Sequence, residues 1–82
     1  MIIKYPLSTE KTIRLMESDN MLIFIVEKSA TKKQIKEAIE ELYSVKVVRV
    51  NTAIDPKNRK KAYIKFSEET PAIDLATQLG IM

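Results

Sequence analysis

The residues best able to do chemistry in this sequence are lysines and arginines, and they are concentrated in one stretch. Between residues 44 and 66, seven cations accompany a single acid, Asp55, which gives the stretch a formal charge of 7 − 1 = +6. The rest of the chain has seven cations and ten acids, a charge of −3. A surface that only keeps a protein soluble mixes the two signs, so this segregation indicates a polyanionic partner bound at one face.

The densest part of this stretch reads DPKNRKKAY and begins at Asp55. Pro56 and Asn58 are typical turn residues, so the cations beside them should project from a loop tip, where phosphate groups can reach them. The phosphate-binding candidates of this turn are Lys57, Arg59 and Lys60.

An aromatic residue follows the turn in a predicted strand. Tyr63 stands between Lys61 and Lys65, and alternate residues of a strand point to the same side. The three side chains could therefore offer two phosphate contacts around a stacking surface for RNA. Two alternatives remain open, because lysines also protect exposed strand edges and Tyr63 could pack beneath a helix.

A second group of candidates lies at the start of the central predicted helix. Lys32, Lys33 and Lys36 occupy its first turns, where the helix dipole disfavours cations. A phosphate backbone across this helix start would offset that cost. The alternative is ion pairing of Lys33 and Lys36 with Glu37 and Glu40 one turn on.

Enzymatic chemistry finds little support in the composition. The chain has no cysteine and no histidine, which excludes thiolate ligands and an imidazole base. A small acyl-phosphate hydrolase could use Arg14 or Arg49 with Asn51, but its glycine-containing anion loop is missing, since Gly80 is the single glycine. We predict no enzymatic activity, no cofactor, no metal and no small-molecule substrate.

The apolar pattern predicts one domain over residues 1–82, of the α/β (α+β) class. The expected order is (β)-α-β-α-β-β-α, with a small antiparallel sheet of three to four strands. The nearly continuous apolar run from Met21 indicates a central strand buried on both faces, so we expect helices on both sides of the sheet. Thr31 and Gln34 predict a capping box, and Thr70 and Pro71 the start of the last helix. No apolar run approaches a membrane span, so we expect no membrane insertion and a cytoplasmic protein.

Several strings together resemble one known family. They are YPLSTEKT from Tyr5, SATKKQIKEAIEELYSVKVVRVNT from Ser29, KKAYIKF from Lys60, and AIDLATQLGI near the end. They follow the order and approximate spacing of the universal large-ribosomal-subunit protein numbered twenty-three, in its compact archaeal form. The resemblance covers nearly the whole chain.

This resemblance implies a non-enzymatic protein of the large ribosomal subunit at the rim of the polypeptide exit tunnel. The implied partners are the third domain of the large-subunit ribosomal RNA, the neighbouring subunit protein numbered twenty-nine, and nascent-chain factors. Asn51 of the VNT string joins the RNA-binding candidates. Bacterial relatives dock trigger factor through a glutamate that matches Glu10, so Glu10 and Lys11 are factor-docking candidates, with the signal recognition particle as the expected archaeal visitor.

Bacterial members carry a longer basic loop that reaches into the tunnel, whereas about five residues join the two strands here. A rival interpretation is a freestanding α/β interaction or regulatory domain. Such a domain would dimerise through a sheet edge, and the basic segment would only keep it soluble.

Overall fold

The computed structural model of the chain describes residues 1–81. Its elements are β1 (Ile3–Pro6), α1 (Glu10–Asp19), β2 (Met21–Val26), α2 (Lys32–Tyr43), β3 (Val47–Ile54), β4 (Lys60–Phe66) and α3 (Ala72–Gln78). The predicted α+β class and the predicted element order are both confirmed.

Two capping boxes fix where the first two helices begin. At α2, the Gln34 amide donates to the Thr31 hydroxyl at 3.2 Å, and the Thr31 amide donates to the Gln34 side-chain oxygen at 2.9 Å. Both bonds satisfy amides that an isolated helix end leaves unpaired, which confirms the predicted box. At α1, Thr9 and Thr12 form the same reciprocal pair.

The four strands form one antiparallel sheet in the order β1-β2-β4-β3. β2 and β4 are the interior strands and pair from Met21 with Lys65 to Val26 with Lys60. β3 pairs with β4 from Val47 with Phe66 to Ile54 with Lys60. The two outer strands are therefore β1 and β3.

All three helices contribute to one hydrophobic core on one face of the sheet. That face presents Leu22, Phe24 and Val26 of β2 together with Ala62, Ile64 and Phe66 of β4. Met16 of α1, Ile35 and Ile39 of α2, and Leu75 and Ala76 of α3 pack on it.

The helices expected on the second face are not found there in the part of the chain that the structure describes. Met21, Ile23 and Ile25 of β2 point to that face and are buried, as the continuous apolar run predicts. They lie outside the helix-covered core and sit between strands that carry long side chains, Tyr63 among them. Burial of this interior strand thus needs no second helical layer.

The start of α3 also differs from the prediction. Pro71 is the N-cap and makes no side-chain capping bond, while the Thr70 hydroxyl instead accepts a 3.4 Å hydrogen bond from the Lys46 amide. The predicted end is correct, because Gly80 follows the last turn with a φ of 76°, a conformation that suits glycine. No helix within residues 1–81 is long and apolar enough to cross a membrane.

Candidate nucleic-acid interface

The sheet face opposite the helices carries the cluster of basic and aromatic side chains. We call it the open face and define it by the strand positions that point away from the helix-covered core. From the strand pairing and the alternation of side chains, these positions are Tyr5 of β1, Met21, Ile23 and Ile25 of β2, Lys61, Tyr63 and Lys65 of β4, and Arg49, Asn51 and Ala53 of β3.

The predicted arrangement of Lys61, Tyr63 and Lys65 is confirmed. All three are half-buried on the open face, whereas their neighbours Ala62 and Ile64 are buried in the core. The two alternatives, lysines that protect a strand edge and a tyrosine packed beneath a helix, do not hold. β4 is an interior strand without an exposed edge, and Tyr63 does not lie beneath a helix.

Three open-face residues surround this group. Asn51 pairs with Tyr63 across the sheet, and Arg49 pairs with Lys65. Tyr5 enters the face from β1 with 44% of its surface exposed. Asn51 was an RNA-binding candidate from the sequence, but Tyr5 and Arg49 were not. Arg49 could have been found from its place in the basic stretch. Tyr5 could not, because simple alternation would place it on the same face as buried Ile3, and only an irregularity in the β1–β2 pairing between these two residues turns it to the open face.

The hairpin turn between β3 and β4 is organised around Asp55. Its main-chain oxygen accepts from the Asn58 amide at 2.9 Å, and its main-chain amide donates to the Arg59 carbonyl at 2.9 Å. One side-chain oxygen accepts from the Lys57 amide at 3.0 Å and the Arg59 amide at 2.9 Å. Asn58 adopts a φ of 63°, which asparagine tolerates better than most residues.

The second side-chain oxygen of Asp55 binds the Arg59 guanidinium. It lies 2.8 Å from both Nε and Nη2 of Arg59. These interactions, led by the hydrogen bond from the Arg59 amide, lower the pKa of the Asp55 carboxyl. The carboxylate is therefore fixed in its charged form at neutral pH.

Two of the predicted phosphate ligands are thus engaged inside the molecule. Arg59 binds Asp55, and its Nη1 donates to the Tyr5 hydroxyl at 3.4 Å. The Lys60 ammonium donates to the main-chain oxygens of Lys28 at 3.2 Å and Ala30 at 2.6 Å. Lys57, in contrast, is exposed at the tip of the turn.

The basic start of α2 lies close to this hairpin. The Lys60 contact with Ala30 brings the start of β4 beside the residue that precedes the N-cap of α2. Lys32, Lys33 and Lys36 are all exposed, and none forms an ion pair within residues 1–81.

The alternative explanation for the lysines of α2, pairing with acids one turn on, is therefore not realised. One of those acids, Glu40, instead accepts a 3.0 Å hydrogen bond from the Val47 amide where β3 begins. The helix start is left with unneutralised positive charge.

The factor-docking candidates lie on α1, on the helix-covered side. Glu10 is the first helical residue and binds Arg14 at 2.9 Å, with 83% of its side chain exposed. Lys11 is exposed beside it. The two candidate surfaces therefore belong to opposite faces of the sheet.

The described residues offer no group of three or more acids placed to hold a metal ion. What they do offer is a solvent-accessible sheet face with lysines, an arginine and two tyrosine rings, a combination typical of RNA-binding modules. Fold and site together define a small α+β protein suited to a polyanionic ligand.

Comparison with known proteins gives the family. The sequence model of ribosomal protein L23 matches residues 1–75. The large ribosomal subunit protein uL23 of Methanococcus vannielii is 51% identical over 80 residues, which is 98% of this chain and 93% of the relative. The protein of the same name from Pyrobaculum aerophilum is 49% identical over 81 residues, 99% of this chain and 100% of the relative.

The chain belongs to the ribosomal protein L23 family. The predicted family resemblance is confirmed, and the similarity to archaeal members supports the archaeal-type form. The protein is a structural, non-enzymatic component of the large subunit of the cytoplasmic ribosome.

Proposed function

We propose that this protein binds large-subunit ribosomal RNA through the open face. Lys61, Lys65 and Arg49 supply positive charge there, and Tyr63 supplies a ring on which a base or sugar can pack. The observation that carries the proposal is the placement of these side chains together on the sheet face that the three helices leave uncovered.

Two further basic surfaces extend the proposed contact. Lys57 lies at the turn beyond one end of the open face, and the α2 lysines flank the same hairpin through the Lys60 contact with Ala30. RNA backbone that follows the open face could pass the turn and reach the α2 start. Among the RNA-binding candidates, Lys60 would act mainly by holding this surface in shape, and Arg59 is neutralised as a phosphate ligand by Asp55.

The target that the family resemblance implies is the third domain of the large-subunit RNA, at the rim of the polypeptide exit tunnel. Neighbouring protein number twenty-nine, the signal recognition particle and other nascent-chain factors are the proposed protein partners. Glu10 and Lys11 are suited to that second role because they are exposed on the side opposite the RNA-binding face. The protein would then bind RNA and a factor at the same time.

The RNA proposal is tested by binding of the purified protein to a third-domain RNA fragment and to a random duplex of equal length, across a salt series. Four phosphate contacts, from Arg49, Lys57, Lys61 and Lys65, predict a log–log slope of about −2.8 to −3.6. Lys61→Gln and Lys65→Gln should each reduce the slope by about 0.7 to 0.9. Lys46→Gln removes the same charge from an exposed side chain outside the open face and should leave the slope unchanged.

Tighter binding of the third-domain fragment that persists at high salt would support the proposal. Equal, weak binding to both RNAs, with no difference among the lysine variants, would contradict it. The rival, a domain that dimerises through the outer edge of β3, predicts a stable dimer in sedimentation without RNA.

The docking proposal needs its own test on assembled ribosomes. Glu10→Ala should weaken binding of the signal recognition particle while leaving incorporation of the protein into the large subunit unchanged. Glu17→Ala, which removes an exposed carboxylate from the other end of α1, is the matched control. Normal binding of the particle to the Glu10→Ala ribosomes would remove Glu10 from the docking surface.

A further inference from the structure

Arg59 is placed differently from the other cations of the open face. Strand β4 begins one residue later, and the side chains of Arg59 and Lys61 point the same way. Because β2 lies between β4 and β1, Arg59 must reach across the end of β2 to donate to the Tyr5 hydroxyl. Its guanidinium thus bridges Asp55, which follows the outer strand β3, and Tyr5 of the opposite outer strand β1.

The hydrogen bonds of this bridge leave the faces of the guanidinium unused. The N–H groups of a guanidinium lie in its plane, so Asp55 and Tyr5 both bind it along its edges. The Arg59 side chain is 33% exposed, whereas that of Asp55 is 5% exposed. Solvent therefore reaches part of the arginine, while the carboxylate that fixes it is almost fully covered.

The bridge also neutralises the charge of Arg59. Its positive charge is matched at 2.8 Å by a carboxylate, so the pair as a whole attracts phosphate far less than an unpaired lysine does. A neutralised, planar, fixed group beside an exposed tyrosine ring suits a flat and uncharged ligand better than it suits phosphate. Arginine planes and aromatic rings are the surfaces on which proteins stack unpaired nucleobases.

We propose that Tyr5 and Arg59, held in place by Asp55, form a stacking site for one unpaired nucleobase at the hairpin end of the open face. The proposal rests on the RNA-binding function proposed above. It adds that the hairpin end of the open face binds an unpaired base of that RNA. Asp55 is a positioning residue, because it acts through Arg59. Tyr63 lies two strands across and two residues along from Tyr5, roughly 12 Å away, and would serve a different base.

The experiment compares two ligands of equal charge: a single-stranded RNA oligomer of mixed sequence and its fully abasic counterpart of the same length. The wild-type protein should prefer the RNA that carries bases. Tyr5→Ala should lower its affinity for that RNA about 5- to 150-fold, the range of stacking on one aromatic side chain, with a much smaller effect on the abasic oligomer. Tyr5→Phe keeps the ring and should retain the preference.

The arginine variants separate stacking from charge. Arg59→Lys keeps the charge but loses the planar group, so it should lose affinity for the base-bearing RNA at an unchanged salt slope. Asp55→Asn should make the slope steeper by about 0.7 to 0.9, because the freed guanidinium can then bind phosphate. Lys61→Gln is the control, and it should weaken binding to both oligomers by the same factor.

Two results would overturn the stacking site while leaving RNA binding intact: equal wild-type affinity for the two oligomers, or an Arg59→Lys variant that keeps the full preference for bases. Failure of the proposed function looks different, because the wild-type protein would then bind the third-domain fragment and the random duplex equally weakly, with no difference among the lysine variants. Circular dichroism of each variant establishes that the fold is retained.

Discussion

The side chain of Asn20 joins two distant parts of the chain. Its Nδ2 donates to the carbonyls of Phe66, Ser67 and Thr70 at 3.1 to 3.2 Å, and its Oδ1 accepts from the Ala72 amide at 2.6 Å. It also ends α1 with a φ of 55°, a left-handed conformation that asparagine tolerates. A single amide thus fixes the turn before β2 and the loop before α3.

Asn20→Ala should lower the free energy of unfolding by about 2–4 kcal/mol, because it removes several partly buried hydrogen bonds and strains the left-handed position. Asn20→Gly removes the same hydrogen bonds without the backbone strain and should cost less. Urea unfolding at neutral pH measures both. Equal stability of the alanine variant and the wild type would mean that the loop holds together without this side chain.

Asp55 should give the protein a specific loss of stability in acid. Its folded pKa lies below the ordinary value of 3.8, so its ionisation favours the folded state above that pH. This contribution is lost as the pH falls below about 4 through the lower folded pKa. The difference in unfolding free energy between wild type and Asp55→Asn should be constant from pH 7 to pH 5 and shrink below pH 4. A difference that stays constant down to pH 2 would contradict this account.

At the level of the elements, β4 uses its two faces for different tasks. Ala62, Ile64 and Phe66 fill the core, while Lys61 and Lys65 stand on the open face. Lys60 points to the helix-covered side and holds the loop before α2 through its carbonyl bonds. The same substitution should therefore lower stability at Lys60 and weaken RNA binding at Lys61.

Lys60→Met keeps most of the side-chain stem but removes the ammonium. It should lower the free energy of unfolding by about 1–2 kcal/mol, since hydrogen bonds from a charged group are lost, and speed hydrogen exchange of the amides in residues 28–34. Lys61→Met is the matched change on the other face. It should leave exchange in that loop unchanged and weaken RNA binding, and the reverse pattern would show that the two roles are misassigned.

The helices and strands were predictable where the signal is local. The Thr31 and Gln34 box, the alternation in β4 and the continuous run of β2 each carry their own pattern, and each element was found. The distribution of the helices over the two faces of the sheet was not predictable. A continuous apolar run shows that a strand is buried, but it does not show whether helices or neighbouring side chains cover it. The sequence also predicted Arg59 and Lys60 as cations available to RNA, since charge is visible in a sequence and a tertiary partner is not.

At the scale of the whole molecule, RNA contact and factor docking are assigned to opposite sides of the sheet. Arg49, Lys61 and Lys65 lie on the open face, and Arg59 lies beside it with its partner Asp55. The exposed acids Glu10, Glu17 and Asp19 belong to α1, which packs on the other face. Long-range attraction should therefore orient the protein before it touches RNA.

This arrangement predicts a one-sided footprint. When the third-domain RNA fragment is titrated into the labelled protein, amide shifts should change most in β1, β3, β4, the Asp55 turn and the start of α2. Amides of α1 and α3 should change little, because the sheet separates them from the ligand. Changes concentrated in α1 and α3 would place the RNA on the helix-covered side and reverse the assignment of the two faces.

The strand order has a consequence for synthesis of the protein. β2 gains its interior position by pairing with β4, so the partners Met21 and Lys65 lie 65 − 21 = 44 positions apart along the chain. Closure of such a long segment carries an entropic cost before strand pairing compensates for it, and sheets built from distant segments of a chain fold slowly. The first half of the chain would leave the ribosome that makes it with β2 uncovered, and folding would wait for residue 66 to emerge.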